Sequence, residues 1–414
     1  MKKKRRKLLI LFALLLILAG VIFFVIPIIW IMKLNARVNT FGDNLPTKFR
    51  VELPLERDST GYFCVTAKIN DLNEQSFILD TYATSMLRID VLEELGAHYW
   101  DKYPVKVKNL YGQKENLPLY ELNSISIVSL IIDKPLFKGI SKTNALYDLL
   151  YKGLIGKDIL KHFVWKFSLD ENKLILFSNK DRELFQSEIQ GYTLIKNGLE
   201  KNKAFLTFPT LSDSIGFIFD LGYQGEICID KRLFEKLYGK YPCDKHLNAR
   251  TVERVDTTYS FKGIEIEWGG IRITDVEIVY LPVSNSNLIG VEFAEKFNFI
   301  LGYQKTENFY SADLLIQPRI NLESIKSNTD NQDFGFNIRI LDGELLVTSI
   351  TIDGLAEKAG IKLKDRVIEI DNGAVDLNMQ FVKFGLVKNY IADKDRITLK
   401  VEREGKLLEY VIKK

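Results

Sequence analysis

Between Phe49 and Ala312 apolar and polar positions alternate with a period of two in short runs. FRVELPL (49–55), YFCVTAKI (62–69), SFIL (76–79), VKVKNLY (105–111), LNSISIV (122–128), VWKFSL (164–169) and KLILF (173–177) are rich in β-branched and aromatic residues. Turn residues separate them, so each reads as a strand. From about Gly191 the same order returns with KAFLTF (203–208), FIFD (217–220), YSFKGIEIEW (259–268), IRITDVEIVY (271–280) and FNFILGY (297–303). In the first repeat helical pieces are few, around 91–95, 146–152 and 159–162, and helix-like stretches follow Asp230 and cover 379–390. The pattern predicts a mainly β chain.

One stretch breaks the alternation. Leu8 to Ile31 carries no charge and follows MKKKRRK. As a helix it would extend about 36 Å, enough for a hydrocarbon core of about 30 Å. The basic cluster predicts a cytoplasmic N-terminus, with everything after about Lys33 on the other side, and Trp30 sits where an interfacial anchor belongs. A cleaved signal peptide is the alternative. The stretch is longer than such a peptide's apolar region, and no small-x-small cleavage site follows it.

Composition narrows the class. Of 414 residues 46% are hydrophobic, and 57 basic against 54 acidic residues leave a net charge of +3. This balance argues against a nucleic-acid surface. Three histidines (His98, His162, His246) and three cysteines (Cys64, Cys228, Cys243) lack metal-ligand spacing, so no metal or cofactor is expected. Whether Cys228 and Cys243 pair stays open at this level.

The repetition carries the chemistry. FILDTYATS (77–85) and FIFDLGYQG (217–225) are each an apolar strand ending in an aspartate, Asp80 or Asp220, before a short turn. Asp90 and Asp230 follow at the same offset, and GLIGKDILKHF (153–163) and NLIGVEFAEKF (287–297) supply an apolar run around Gly156 and Gly290. This resembles the retropepsin-like family of aspartic proteases, across about Phe49–Ala312. The resemblance implies a bilobal β fold, with lobes over 48–190 and 191–320, and Asp80 and Asp220 sharing one proton at the junction. It implies an active-site loop of Thr81, Tyr82, Ala83, Leu221 and Gly222. Segments 109–113 (NLYGQ) and 260–263 (SFKG) become candidate flap turns, and Asp90 and Asp230 helix caps.

Two positions depart from the family pattern of Thr or Ser, then Gly, after the aspartate. Tyr82 replaces one glycine and Leu221 replaces one hydroxyl residue. Thr81 can supply half of a brace between the loops, whereas the Leu221 side chain cannot supply the other half. The Tyr82 ring is expected toward the cleft. Two readings follow: a working endopeptidase with an altered loop, or an impaired pseudoprotease that binds peptide without cutting it.

Beyond a polar linker (321–332), residues 333–414 carry DFGFN (333–337) and later AEKAGIKLKDRVIEIDN (356–372). These resemble a PDZ domain of the kind attached to bacterial envelope proteases. The resemblance implies that Phe334, Gly335, Phe336 and Asn337 form a carboxylate-binding loop and that Ile338 begins an edge strand for a peptide. The expected organisation is a basic tail (1–7), a membrane anchor (8–32), a stalk (33–47), two lobes, a linker and a PDZ domain. The expected partners are a peptide or protein substrate, a PDZ ligand and the membrane, with no nucleic acid. The folded parts are expected on the extracytoplasmic face of a bacterial envelope.

Overall fold

The computed structural model describes residues 12, 20–21, 25–58, 60–70, 74–108, 114–142, 144, 147, 153–195, 203–211, 213–249, 255–305, 310–320, 334–341, 343–375, 391 and 394–414. Most of the uncharged N-terminal stretch lies outside them, as do residues 146 and 148–152, where a helix was expected. Among the described residues no helix is long and apolar enough to cross a membrane.

Ten strands of the first repeat are β1 (Arg50–Pro54), β2 (Phe63–Ile69), β3 (Glu74–Leu79), β4 (Met86–Arg88), β5 (His98–Lys108), β6 (Lys114–Glu121), β7 (Leu136–Ile140), β8 (Leu154–Ile155), β9 (Phe163–Ser168) and β10 (Lys173–Ser178). Ten strands of the second repeat follow in the same sequence. They are β11 (Thr193–Ile195), β12 (Lys203–Phe208), β13 (Asp213–Phe219), β14 (Ile227–Ile229), β15 (Cys243–Ala249), β16 (Val255–Trp268), β17 (Ile271–Tyr280), β18 (Leu288–Ile289), β19 (Phe297–Lys305) and β20 (Tyr310–Pro318).

The two repeats share one topology. The first sheet runs β2-β3-β8-β4-β7-β6-β5 and the second β12-β13-β18-β14-β17-β16-β15. A hairpin of Ser124–Ile127 and Leu130–Asp133 extends the first sheet beyond β2. A six-stranded sheet, β1-β10-β9-β19-β20-β11, joins the repeats through the antiparallel pair β9–β19, with Trp165 opposite Leu301. An approximate twofold relation therefore passes between β9 and β19.

The core is continuous across that junction. Phe299 of the second repeat stacks on Phe167 of the first at 4.3 Å between ring centroids and also meets Phe63 and Phe219. Alternation along each strand is what turns these rings inward. A separate core of Phe334, Phe336, Ile338, Val347, Ile397, Leu399 and their neighbours holds the C-terminal module together.

That module contains β21 (Phe336–Leu341), β22 (Glu344–Thr351), β23 (Arg366–Ile370), β24 (Arg396–Arg403) and β25 (Lys406–Lys413), ordered β22-β23-β24-β25 with β21 on the other side of β22. Its β22 also pairs with β15, placing Leu247 opposite Ile350. The second repeat and the C-terminal module thus share one sheet.

Residues 33–47, expected as a stalk, are instead packed. The helix Ile26–Asn39 sets Trp30 beside Trp100, and Arg37 bonds to Glu121 and to the Lys134 carbonyl. Phe41 and Leu45 are buried, and Gly42 lies so close to His162 that a Cβ would fall 2.5 Å from its Nδ1. Apolar residues at those two positions make the segment part of the first repeat's core. Cys64, Cys228 and Cys243 are not joined in a disulfide.

Candidate functional site

The two aspartates stand at equivalent ends of β3 and β13. Each strand is held in parallel by a two-residue strand, β8 or β18, and the aspartate N–H closes that ladder. Asp80 N donates to the Ile155 carbonyl at 3.0 Å and Asp220 N to the Ile289 carbonyl at 2.8 Å. Gly156 and Gly290 come next, where the loops press hard against the chain. A Cβ on Gly156 would lie 2.4 Å from the Thr84 carbonyl carbon, and one on Gly290 would lie 2.1 Å from the Gly225 oxygen. Only glycine fits such an approach. Lys157 N then donates to Ala83 O, and Val291 N to Tyr223 O, so both loops are pinned alike.

The carboxyl groups converge. The Asp80 and Asp220 side chains act directly on each other and are almost buried, at 8% and 4% exposed. Gly222 sits against both: a Cβ there would fall 2.2 Å from Asp80 Oδ2 and 3.1 Å from Asp220 Oδ1. Tyr82 N and Ala83 N donate to Asp80 Oδ1 at 2.8 and 2.7 Å, and Gly222 N donates to Asp220 Oδ1 at 2.9 Å.

These contacts make the pair unequal. Burial raises the Asp80 carboxyl above its ordinary value, opposed by the Ala83 and Tyr82 N–H groups and the Lys157 charge. Burial raises Asp220 further, because the Asp80 charge beside it adds to the effect. Two carboxyls this close hold one proton between them over a wide pH range.

Thr81 bridges the two loops alone. Its hydroxyl donates to the Phe219 carbonyl at 2.6 Å and accepts from Leu221 N at 3.1 Å. The Leu221 side chain is fully buried in the core. The brace is therefore one-sided, with a main-chain N–H of the second loop completing it. The Tyr82 ring is 43% exposed and lies under the Lys157 ammonium, 5.5 Å from its centroid. Sequence reasoning missed Ser85 and Asp158 as a brace: Ser85 N and Oγ both donate to Asp158 Oδ1 at 2.8 Å, while Ser85 Oγ accepts from Gly156 N. It also missed Lys157. Reading the residue after each glycine side by side, Lys157 against Val291, would have exposed it.

Other expectations fare unevenly. The turn 109–113 lies outside the described residues, though it joins β5 to β6. Segment 260–263 is not a hairpin tip; it lies within β16, where the pairing with β17 shifts register between Phe261 and Ile264 and Gly263 takes φ +67°. An apolar-polar run containing a glycine reads alike as a turn or a bulge. The equivalent hairpin joins β15 to β16 through residues 250–254, outside the described set. Asp230 caps the helix Lys231–Leu237 by accepting from Leu233 N at 2.9 Å. Asp90 caps nothing; it pairs with Arg88 and accepts from the Tyr147 hydroxyl at 2.9 Å.

In the C-terminal module the side chains of Phe334, Phe336 and Ile338 are buried. Gly335 takes φ +79°, and Asn337 Oδ1 accepts from Ile338 N. Of these five residues Asn337 alone is not buried. Among the described residues no group of three or more His, Cys, Asp or Glu could hold a metal ion.

No protein-family model matches the chain. Two curated relatives, each an HtrA-like serine protease from a strain of Staphylococcus epidermidis, are 25% identical over 136 residues, 31% of this chain. The chain spans 22% of the length of those relatives. Among solved structures it is similar to a retropepsin-like aspartic protease from Rickettsia conorii, at 23% identity, 32% of this chain, 93% of that chain and a TM-score of 0.25. It is also similar to the HtrA-type protease AlgW with a decapeptide, at 12% identity, 59% of this chain, 68% of that chain and a TM-score of 0.20. The chain thus has protease-like similarity of two kinds, each over a part of its length.

Proposed function

We propose that this chain is a membrane-anchored aspartic-type endopeptidase in which Asp80 and Asp220 activate water and a C-terminal PDZ-like module captures peptide or protein. The single observation that carries the reading is the convergence of two nearly buried carboxyls on Gly222, at the ends of equivalent strands.

A pair holding one proton can do both halves of hydrolysis. The ionised carboxylate takes a proton from water as the water oxygen bonds to the scissile carbonyl carbon. The protonated partner gives its proton to the carbonyl oxygen, leaving a neutral gem-diol. The first carboxyl then protonates the leaving nitrogen, a gem-diol hydroxyl returns a proton to the second, and the C–N bond breaks. The dyad ends in its starting state. Peptide binding under the hairpins β5–β6 and β15–β16 would exclude bulk water from this exchange.

Uncharged residues 8–32 behind a basic tail support anchoring, with residues after 33 on the extracytoplasmic face of a bacterial envelope. Peptide capture is supported by β21. It pairs with β22 along one edge, and no described strand pairs with its other edge. Division into two lobes, a linker and a PDZ-like module is supported by the separate C-terminal core.

One observation favours the second reading, binding without cleavage: the buried Leu221 side chain leaves the brace with a single hydroxyl. Digestion of a peptide library by the full chain in detergent separates the two. Cleavage lost on Asp80→Asn supports the peptidase; library patterns identical for wild type and Asp80→Asn support the binder.

A further inference from the structure

The repeated topology supplies an internal control, because each position of one loop has a counterpart in the other. Leu154 in β8 pairs with Met86 in β4, as Leu288 in β18 pairs with Cys228 in β14. Met86 in turn faces Lys138 in β7, and Cys228 faces Val279 in β17. Lys138 therefore corresponds to Val279. By the same register Lys157, which follows Gly156, corresponds to Val291, which follows Gly290. The first repeat has lysine at two positions where the second has valine.

The two lysines are not alike. Lys138 is half-buried and faces the buried Asp158, which pulls on its charge, while Lys157 repels it. Lys157 is exposed and lies over the Tyr82 ring, and its charge acts on Asp80. Its backbone is fixed as well, since Lys157 N donates to Ala83 O at 2.9 Å. Tyr82 contributes from both ends: its N–H binds Asp80 and its ring sits beneath the ammonium. An ammonium over an aromatic face is held by the ring quadrupole. The groups that meet Lys157 are thus Asp80 and Tyr82 from the loop and Lys138 from β7, with Asp158 beside it in sequence.

We propose that Lys157, held over the Tyr82 ring, is a positioning residue that fixes the shared negative charge on Asp80 and leaves the proton on Asp220. In the proposed hydrolysis, on which this inference rests, Asp80 then takes the proton from water and Asp220 gives its proton to the carbonyl oxygen. The tyrosine that departs from the family pattern becomes the platform for a cation that adds to the inequality set by the Ala83 and Tyr82 N–H groups. In the second repeat valine stands at both corresponding positions, Val279 and Val291.

The test reads the carboxyls directly and needs no turnover. Aspartate side-chain carboxyls in the full chain are labelled with 13C and titrated by NMR, with Asp80→Asn and Asp220→Asn to assign them. Lys157→Met is expected to raise the proton affinity of the lower-titrating member roughly threefold to tenfold. Lys157→Arg is expected to restore it, Tyr82→Phe to keep it, and Tyr82→Leu to shift it part of the way. A lower titration unmoved by Lys157→Met, or moved equally by Lys157→Met and Lys157→Arg, overturns the inference. If the titration moves as expected while no library peptide is cut, the polarisation stands and the peptidase reading falls.

Discussion

At the scale of single residues, the site rests on groups that are buried and committed to one another. Thr81 carries the bridge between the loops, with hydrogen bonds to the Phe219 carbonyl and from Leu221 N. Thr81→Val keeps the shape and removes both, stranding a buried carbonyl and a buried N–H. The expected cost is about 1–3 kcal/mol, read by denaturant unfolding. The Asp220 carboxyl adds a pH dependence of known sign. Its folded value is raised by burial and by the Asp80 charge. Below the ordinary aspartate range it is protonated in both states and its burial is tolerated. As pH rises toward the raised folded value the unfolded chain ionises first, and folding loses stability until that value is passed. Asp220→Asn removes the loss, so the variant is expected to gain stability relative to wild type as pH rises from the acid range toward neutral. The advantage is expected to vanish at low pH; equal stability at both ends of the range would contradict the buried pair. Asp80, Asp220 and Gly222 were legible because both loops repeat one motif. Asp158 and Lys157 were not, since their partners Ser85 and Tyr82 are reached only by folding.

At the scale of elements, alternation found the strands and punctuation misplaced their ends. The run at 259–268 was recognised, yet its glycine marks a bulge within β16 rather than a turn. A hairpin turn and a bulge can each place a glycine at positive φ, so local sequence cannot separate them. Asp230 was read as a cap and accepts from Leu233 N; the same reading failed for Asp90, whose carboxyl faces Arg88 and Tyr147. The difference lies in a tertiary partner, absent from any local pattern. Asp230→Ala is therefore expected to cost about 1 kcal/mol through loss of the cap, measured by thermal unfolding. The segment 33–47 teaches a related lesson. Its polar character suggested a stalk, while two apolar residues, Phe41 and Leu45, are buried against the first repeat.

At the scale of the whole molecule, one aromatic chain ties the repeats together. Phe299 touches Phe63 and Phe167 from the first repeat and Phe219 from its own. Phe299→Ala is expected to destabilise both repeats at once by about 3–5 kcal/mol, seen as a single shifted unfolding transition over residues 48–320. Two separate transitions would show that the repeats fold independently. The pairing of β15 with β22 had no signal in the sequence, because strand edges are chosen by three-dimensional neighbours. It joins the hairpin β15–β16 to the module proposed to capture peptide.

The central claim is that Asp80 and Asp220 act as one proton-sharing unit that hydrolyses peptides. The most direct measurement is the pH profile of kcat/KM for a library-derived peptide, taken with the full chain as wild type, Asp80→Asn and Asp220→Asn. A bell-shaped profile for wild type, with activity abolished in both variants across the whole range, is the predicted result. Cleavage by either variant at the wild-type rate, at acidic or neutral pH, would contradict it.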